Sequence, residues 1–198
     1  MLSFRKILFE IFIVSCCAFF AVLVVTLFVM QSAPDNGAGM LQHGEGAWRL
    51  AVGSDPELYG RTIDDEEFHW ESLREEGNEK YVLVKFTATW CGPCQMEIPG
   101  MLEAYEKYND KGLEIISVYV FQQEADPVAT VRNHVNQKGL PWIILSEELS
   151  TRAGHPAFDD HYGISGVPVM VLVDKEGKII MQGARGLQLQ NKLAEIFR

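Results

Sequence analysis

The 198-residue chain is long enough for one well-filled core and an accessory segment. Its formal net charge of −10 disfavours contact with phosphate backbones, so we expect no nucleic-acid partner. Apolar residues are concentrated near the N-terminus, and the rest of the chain has the composition of an ordinary soluble domain.

The first predicted element is the apolar segment 11–30, which contains no charged residue. A helix rises ~1.5 Å per residue, so this segment matches a hydrocarbon core of roughly 30 Å. Arg5 and Lys6 precede it, and the first charge beyond it is Asp35. This asymmetry predicts a short cytoplasmic N-terminus at 1–10 and a transmembrane anchor at 11–30. We therefore expect a single-pass protein of the cytoplasmic (inner) membrane, with the remainder on the periplasmic or extracytoplasmic side.

A cleaved signal peptide and a lipoprotein are the two alternatives to an anchor. The apolar region of a signal peptide is typically only about 7–15 residues, and Pro34 after Ala33 makes a poor cleavage site. Residues 13–16 resemble a lipoprotein processing box that ends at Cys16, but almost every residue from there to Met30 is apolar. The anchor is the favoured interpretation.

A polar, glycine-rich linker is predicted at 31–47, and one domain at 48–198. The domain is expected to begin with short strands between Trp48 and Trp70, with a turn at Tyr59 and Gly60. The acidic run at 64–67 is interpreted as a solvated loop or strand edge in preference to a docking site.

Strands and helices alternate through the rest of the chain, which predicts an α/β sheet with parallel members. A final hairpin would add antiparallel strands at one side. Pro99 lies within the first predicted helix and is expected to kink it, while Asp126 and Pro127 are expected to begin the second. The predicted strands are 81–86, 113–121, 142–145, 169–173 and 178–182, and the predicted helices are 91–111, 126–137, 157–162 and 187–197.

Two cysteines at the junction of a strand and a helix carry the main chemical signal. Cys91 and Cys94 enclose Gly92 and Pro93, and they are the only cysteines outside the apolar segment. The positive end of a helix lowers the pKa of a thiol placed there, and the thiolate is the nucleophile in disulfide exchange. Cys94, one turn later, is expected to be more buried and to attack second. The pattern predicts a thiol–disulfide oxidoreductase with Cys91 and Cys94 as catalytic residues.

Zinc binding and a purely structural disulfide are the alternatives for these cysteines. A zinc site usually needs four ligands, and the soluble part has no second cysteine pair. His155 and His161 flank two aspartates, but solvated loop histidines are the preferred interpretation. A structural disulfide across so short a loop would stabilise the chain little. We therefore expect no metal, and no cofactor other than a redox-active disulfide between Cys91 and Cys94.

These motifs resemble those of the thioredoxin superfamily. Residues 86–94, with Trp90 before the first cysteine and Pro99 after the second, are similar to the thioredoxin active site. Residues 162–168 resemble the segment that carries the family's cis-proline. The anchor, Glu97 and an extra helix–strand segment between residues 121 and 145 are similar to the membrane-anchored TlpA/ResA type. The resemblance implies a thioredoxin-like fold, a central mixed sheet flanked by helices, with a helix–strand insertion.

The resemblance also implies roles for residues around the cysteines. The bond between Val167 and Pro168 would be cis and would lie beside the thiols. Glu97 would handle protons near the cysteines, although an ordinary exposed helix glutamate is the alternative. Substrate-binding roles are implied for Trp90, Gly92, Pro93, Val167 and Pro168.

Lys85 departs from the family pattern, which has a buried Asp or often Asn at the matching position. We hypothesise that Lys85 pairs with Glu97 beneath Cys94 and tunes the thiol pKa. A cation there would favour the thiolate and make the disulfide more oxidising. The alternative is a buried lysine stem whose amine reaches water.

The expected function is reduction or exchange of disulfides in extracytoplasmic proteins, with a membrane electron donor or acceptor that recharges the dithiol. Apocytochrome c is the expected client if the resemblance to ResA extends to substrate. One alternative is a redox-inactive thioredoxin-fold binding module. Another is peroxiredoxin-like peroxide reduction, which Val84 and Ala88 disfavour because the peroxiredoxin motif has Pro and Thr or Ser there.

Overall fold

The computed structural model describes residues 47–77 and 79–198. The predicted cytoplasmic N-terminus, the anchor and all but the last residue of the predicted linker lie outside these ranges, so they stay predictions. Within the described ranges, no helix has the length and apolar character needed to span a bilayer.

In the described part of the chain, seven strands form one mixed sheet in the order β2-β1-β5-β4-β3-β6-β7. The strands β3, β4 and β5 are parallel, and the remaining pairings are antiparallel. This arrangement confirms the predicted α/β sheet with a terminal antiparallel hairpin. The bounds are β1 Tyr59–Thr62, β2 Glu67–His69, β3 Tyr81–Thr87, β4 Leu113–Tyr119, β5 Ile143–Ser146, β6 Val169–Val173 and β7 Ile179–Gln182.

Helices alternate with the strands along the chain. The second helix begins as predicted, because Asp126 accepts a hydrogen bond from Ala129 N and Pro127 takes the first helical position. The first helix continues through Pro99 to Tyr108. The bounds are α1 Gly92–Tyr108, α2 Pro127–Lys138, α3 Glu147–Arg152, α4 Phe158–Tyr162 and α5 Gly186–Ile196, with 3-10 turns at Ala47–Leu50, Trp70–Leu73 and Asn109–Lys111.

Alternating side chains of the central strand β3 pack into two separate hydrophobic cores, one on each face of the sheet, because successive side chains of a strand point to opposite faces. Leu83 packs in the layer that also contains residues of α1, α2 and α5. Val84 and Phe86 pack in the other layer, with Phe158 and Tyr162 of α4. Lys85 has the same parity as Leu83, so the strand directs it toward the face that α1 covers.

The predicted turn at Tyr59 and Gly60 is wrong, because both residues belong to β1. Gly60 has a φ of +127°, and a Cβ there would lie 2.6 Å from Ser150 Oγ. The glycine therefore permits close packing against α3, and it does not mark a turn. The turn falls instead within the acidic run, where Asp65 adopts a φ of +65°. The run is exposed at the tip of the β1–β2 hairpin, with Glu67 in β2, so it lies at a loop and strand edge as predicted. Whether it docks a partner is not decided by this exposure.

Candidate active site

The two cysteines lie where β3 gives way to α1. Cys91 is the N-cap of α1, and its Sγ accepts a hydrogen bond of 3.2 Å from Cys94 N. A disulfide joins Cys91 to Cys94, with their Cα atoms 5.2 Å apart. The first sulfur thus sits on the unpaired N–H groups and positive dipole end of a 17-residue helix, where negative charge is favoured.

Both cysteines are buried, and the surface around them is not. Cys91 is 3% exposed and Cys94 is 0% exposed. Gly92 and Pro93 between them are exposed, and the preceding Trp90 is 51% exposed. Of the two sulfurs, Cys91 is the one with any exposed surface, and a partner that approaches it would contact these exposed neighbours first.

The segment before β6 approaches the disulfide from one side. The peptide bond between Val167 and Pro168 is cis, as the resemblance implied, and both residues are partly exposed. Cys91 Sγ lies 3.8 Å from Val167 O. β6 pairs with β3, so the sheet brings together residues separated by 76 positions in the chain. The carbonyl is a hydrogen-bond acceptor at the point where a partner chain would meet the sulfur.

Trp90 is held from the other side of β3. Its Nε1 donates a hydrogen bond of 2.8 Å to Phe121 O, in the loop that follows β4. Phe121 has a φ of +55°, and its N–H donates to Glu147 at 3.3 Å. The indole is thus fixed in place although half of it is open to solvent.

Lys85 is buried directly beneath the second cysteine. The side chain is 2% exposed, and its Nζ donates a hydrogen bond of 2.8 Å to Cys94 O. Burial lowers the pKa of Lys85 to about 8, and the negative charge of Glu97 opposes part of that shift. The amine therefore does not reach water, and at neutral pH it remains largely protonated.

The hypothesised ion pair between Lys85 and Glu97 is not formed. No contact within 4.0 Å joins them among the ion pairs of the described residues. Lys85 instead uses the carbonyl of Cys94, because the strand aims its amine at the first turn of α1. Glu97 is partly exposed on α1, and it acts on Lys85 only through the field of its charge.

Several polar residues near the cysteines were missed by the sequence reasoning. Thr89 Oγ1 lies 2.7 Å from Gln122 Oε1 and 3.0 Å from Glu124 Oε1, and Gln95 Nε2 donates to Thr89 O at 3.2 Å. These contacts connect the loop before Cys91 to the loop after β4. The place of Thr89 within the cysteine motif was the only available signal, because the partners of its hydroxyl lie more than 30 positions away.

The histidines considered as metal ligands have other contacts. His155 Nε2 lies 3.0 Å from Glu67 Oε1, and His161 Nε2 accepts a hydrogen bond of 3.1 Å from Arg49 Nε. Within the described ranges, no cluster of three or more His, Cys, Asp or Glu side chains has a geometry that could hold a metal ion.

Comparison with known proteins agrees with this geometry. The Redoxin family model matches residues 66–191, which is more than half of the chain. Thiol-disulfide oxidoreductase ResA of Bacillus thuringiensis (strain Al Hakam) is 38% identical over 104 residues, which are 52% of this chain and 54% of that protein. The match thus spans about half the length of this relative. ResA of Halalkalibacterium halodurans is 32% identical over 140 residues, covering 69% of this chain and 72% of the relative.

Solved structures show the same architecture. The thioredoxin domain of a thiol-disulfide oxidoreductase from Bacteroides vulgatus aligns with a TM-score of 0.60 and 26% identity. The alignment covers 75% of this chain and 99% of that domain. The fold is therefore thioredoxin-like, and the chain belongs to the Redoxin family as a ResA-like member of the thioredoxin superfamily.

Proposed function

We propose that the protein is a thiol–disulfide oxidoreductase that reduces or exchanges disulfides in extracytoplasmic proteins. The observation that carries this proposal is the placement of Cys91 as the N-cap of α1, with Cys94 one turn later and joined to it by a disulfide. The names of the ResA relatives support the same reaction class.

The reductive reaction begins from the dithiol form. The Cys91 thiolate attacks one sulfur of the client disulfide, forms a mixed disulfide with it and releases the other client sulfur as a thiolate. The Cys94 thiolate then attacks Cys91 Sγ, which expels the second client sulfur and regenerates the Cys91–Cys94 disulfide. Two electrons pass to the client, and its two thiolates take up two protons from solvent. Exchange and oxidation use the same steps in a different order.

Lys85 would stabilise the thiolate form of the dithiol. Its ammonium group is held at Cys94 O, and a buried positive charge near the dithiol favours the thiolate over the thiol. Greater thiolate stability stabilises the reduced protein and makes the disulfide a stronger oxidant. Glu97 would help to keep Lys85 protonated, and through it would handle protons near Cys94.

The client would dock over the exposed residues that surround Cys91. Trp90, Gly92 and Pro93 adjoin Cys91 in the chain, and the segment with Val167 and Pro168 approaches it from β6. An extended client segment could pair its backbone with Val167 O while its sulfur meets Cys91.

The wider cellular setting is also part of the proposal. The apolar segment 11–30 would tether the domain to the cytoplasmic membrane, with the dithiol on the extracytoplasmic side. A membrane electron donor or acceptor would recharge the Cys91–Cys94 pair. Apocytochrome c is the client that the resemblance to ResA suggests, which would place the protein in cytochrome c maturation.

An insulin-reduction assay tests the core of the proposal. The full-length protein with dithiothreitol is expected to accelerate precipitation of the insulin B chain, and Cys91→Ser is expected to abolish the acceleration. A wild-type rate no higher than that of the Cys91→Ser variant would overturn the proposed activity. That result would favour a redox-inactive binding module.

A further inference from the structure

A polar cavity lies beside the cysteines on the side of β3 away from the cis-proline. Its volume is about 320 Å³, at the lower end of the range for ligand pockets and suited to a single side chain. The cavity lies between the cysteine loop, the loop after β4 and one face of α2. Its lining includes Thr89, Trp90, Glu124, Asn133, His134 and Gln137.

Two of the lining residues are held in place by hydrogen bonds. Trp90 is fixed through Nε1 to Phe121 O at 2.8 Å. Glu124 Oε2 accepts a hydrogen bond of 3.0 Å from Gln123 N, and its Oε1 lies 3.0 Å from Thr89 Oγ1, whose single proton can also go to Gln122 Oε1 at 2.7 Å. Trp90 and Glu124 are therefore partly ordered before a ligand binds, which reduces the cost of ordering them on binding.

The charge of the cavity favours a cation. Glu124 has no Lys, Arg or His within ion-pair distance among the residues that the structure describes. Burial, followed by the charges of Lys138 and Lys85, lowers the pKa of His134 and so disfavours its charged form. The same two ammonium groups offset part of the attraction of Glu124 for a cation. The side chains of Asn133 and Gln137 carry amide oxygens that can accept hydrogen bonds, and Trp90 lines the cavity beside them.

The position of the cavity relative to the sulfur suggests the source of that cation. Trp90 precedes Cys91 directly, so the two Cα atoms are about 3.8 Å apart. β3 lies between β4 and β6 in the sheet. Val167 precedes β6, and Glu124 follows β4, so the two flank Cys91 from opposite sides. A client chain that is bonded to Cys91 and crosses from the Val167 side to the Glu124 side would therefore bring a side chain near its cysteine to the cavity.

We propose that this cavity is a specificity pocket for a basic side chain, arginine or lysine, located within a few residues of the client cysteine. The cation would lie beside Trp90, pair with the Glu124 carboxylate and donate hydrogen bonds to the side-chain amides of Asn133 and Gln137. The inference rests on the proposed function, which it refines by naming a chemical feature of the client. The net charge of −10 would add a long-range attraction for basic clients.

The test compares two peptides that differ only in charge. Each contains one cysteine activated as a 2-pyridyl disulfide, and arginine or its neutral isostere citrulline is placed one, two or three residues before or after it. The reduced full-length Cys94→Ala protein attacks the peptide sulfur through Cys91, forms a stable mixed disulfide and releases pyridine-2-thione, whose absorbance gives the rate. For at least one placement we expect the arginine peptide to react about fivefold faster than the citrulline peptide.

Substitutions of Glu124 test the origin of this preference. In Glu124→Gln the rate ratio between the two peptides is expected to fall to about one. In Glu124→Lys we expect a preference for negative charge. A peptide with glutamate at the position of the arginine should react faster than the same peptide with glutamine there. Glu106→Gln removes the same charge from an exposed position of α1 outside the cavity lining, and it should retain the wild-type ratio. Because each result is a ratio within one variant, a partial loss of folded protein does not affect it.

Two negative outcomes have different meanings. Equal rates for every arginine and citrulline pair, or a preference that survives in Glu124→Gln, would overturn the pocket and leave the proposed activity intact. If Cys91 reacted with all peptides no faster than free cysteine, both the activity and the pocket would have to be given up.

Discussion

Lys85 Nζ donates a hydrogen bond of 2.8 Å to the backbone oxygen of Cys94, and both residues are almost wholly buried. A strand side chain thus reaches under the first turn of α1 and places an ammonium group beside a redox-active disulfide. This relationship is where the chain departs from the family pattern, and it leads to two predictions that differ from those for an Asp or Asn at the same position.

The first prediction concerns the reduction potential. Removing the buried cation in Lys85→Asn is expected to lower the potential of the Cys91–Cys94 couple by about 30 mV, which corresponds to roughly one pKa unit of lost thiolate stabilisation. Equilibration with glutathione or dithiothreitol redox buffers measures the change. Lys107→Asn removes an exposed cation of α1 and should leave the potential unchanged. An unchanged or higher potential in Lys85→Asn would contradict the role proposed for Lys85.

The second prediction concerns stability of the oxidised protein in alkali. The folded-state pKa of Lys85 is about 8, below the ordinary lysine value of 10.5, so between these pH values the folded protein has released a proton that the unfolded chain still holds. The free energy of unfolding therefore rises with pH across this window, and Lys85 contributes an increase of up to about 3 kcal/mol.

Denaturant unfolding at pH 7.5, 9 and 10.5 measures this increase. The difference in unfolding free energy between wild type and Lys85→Met should shift in favour of wild type as the pH rises. The comparison with Lys85→Met removes the contributions of tyrosines and other lysines, which titrate in both proteins. A difference that is independent of pH would mean that the amine is not desolvated in solution.

The third prediction concerns the order in which the cysteines act. Cys94→Ala is expected to accumulate a mixed disulfide between Cys91 and a client, because the resolving thiol is absent. Cys91→Ser should accumulate none, since Cys94 is fully buried. Non-reducing electrophoresis of membrane extracts, followed by mass spectrometry of the adduct, provides the measurement. Adducts on Cys94 in place of Cys91 would reverse the proposed roles.

The fourth prediction concerns the glycine at which β1 packs against α3. In Gly60→Ala the new Cβ would lie 2.6 Å from Ser150 Oγ and 2.8 Å from the ring of Phe158. Gly154→Ala is the matched control, because its φ of +94° is also positive but nothing lies within 4 Å of the added Cβ. We expect both variants to lose stability, with Gly60→Ala losing about 1–3 kcal/mol more. Equal losses in urea unfolding would show that the packing around Gly60 can relax.

Much of the reaction chemistry follows from local sequence alone. Two cysteines separated by two residues at a strand–helix junction specify a dithiol on a helix N-terminus, because helix geometry and its dipole are local properties. The sequence Asp126-Pro127 likewise predicted where α2 begins. The error at Tyr59 and Gly60 arose because a glycine that permits close packing looks the same in sequence as one that permits a turn.

The sequence by itself determined the alternation of strands and helices and the nature of the reactive pair, because each depends on neighbouring residues, and it exposed Lys85 as a departure from the family pattern. Only the tertiary structure decided which other residues they contact. The approach of Val167 to Cys91, the use of Cys94 O by Lys85 in place of Glu97, and the cavity between Trp90 and α2 all depend on strand order in the sheet. Such contacts join residues that are distant in the chain, and a local pattern carries no information about which of them will become neighbours.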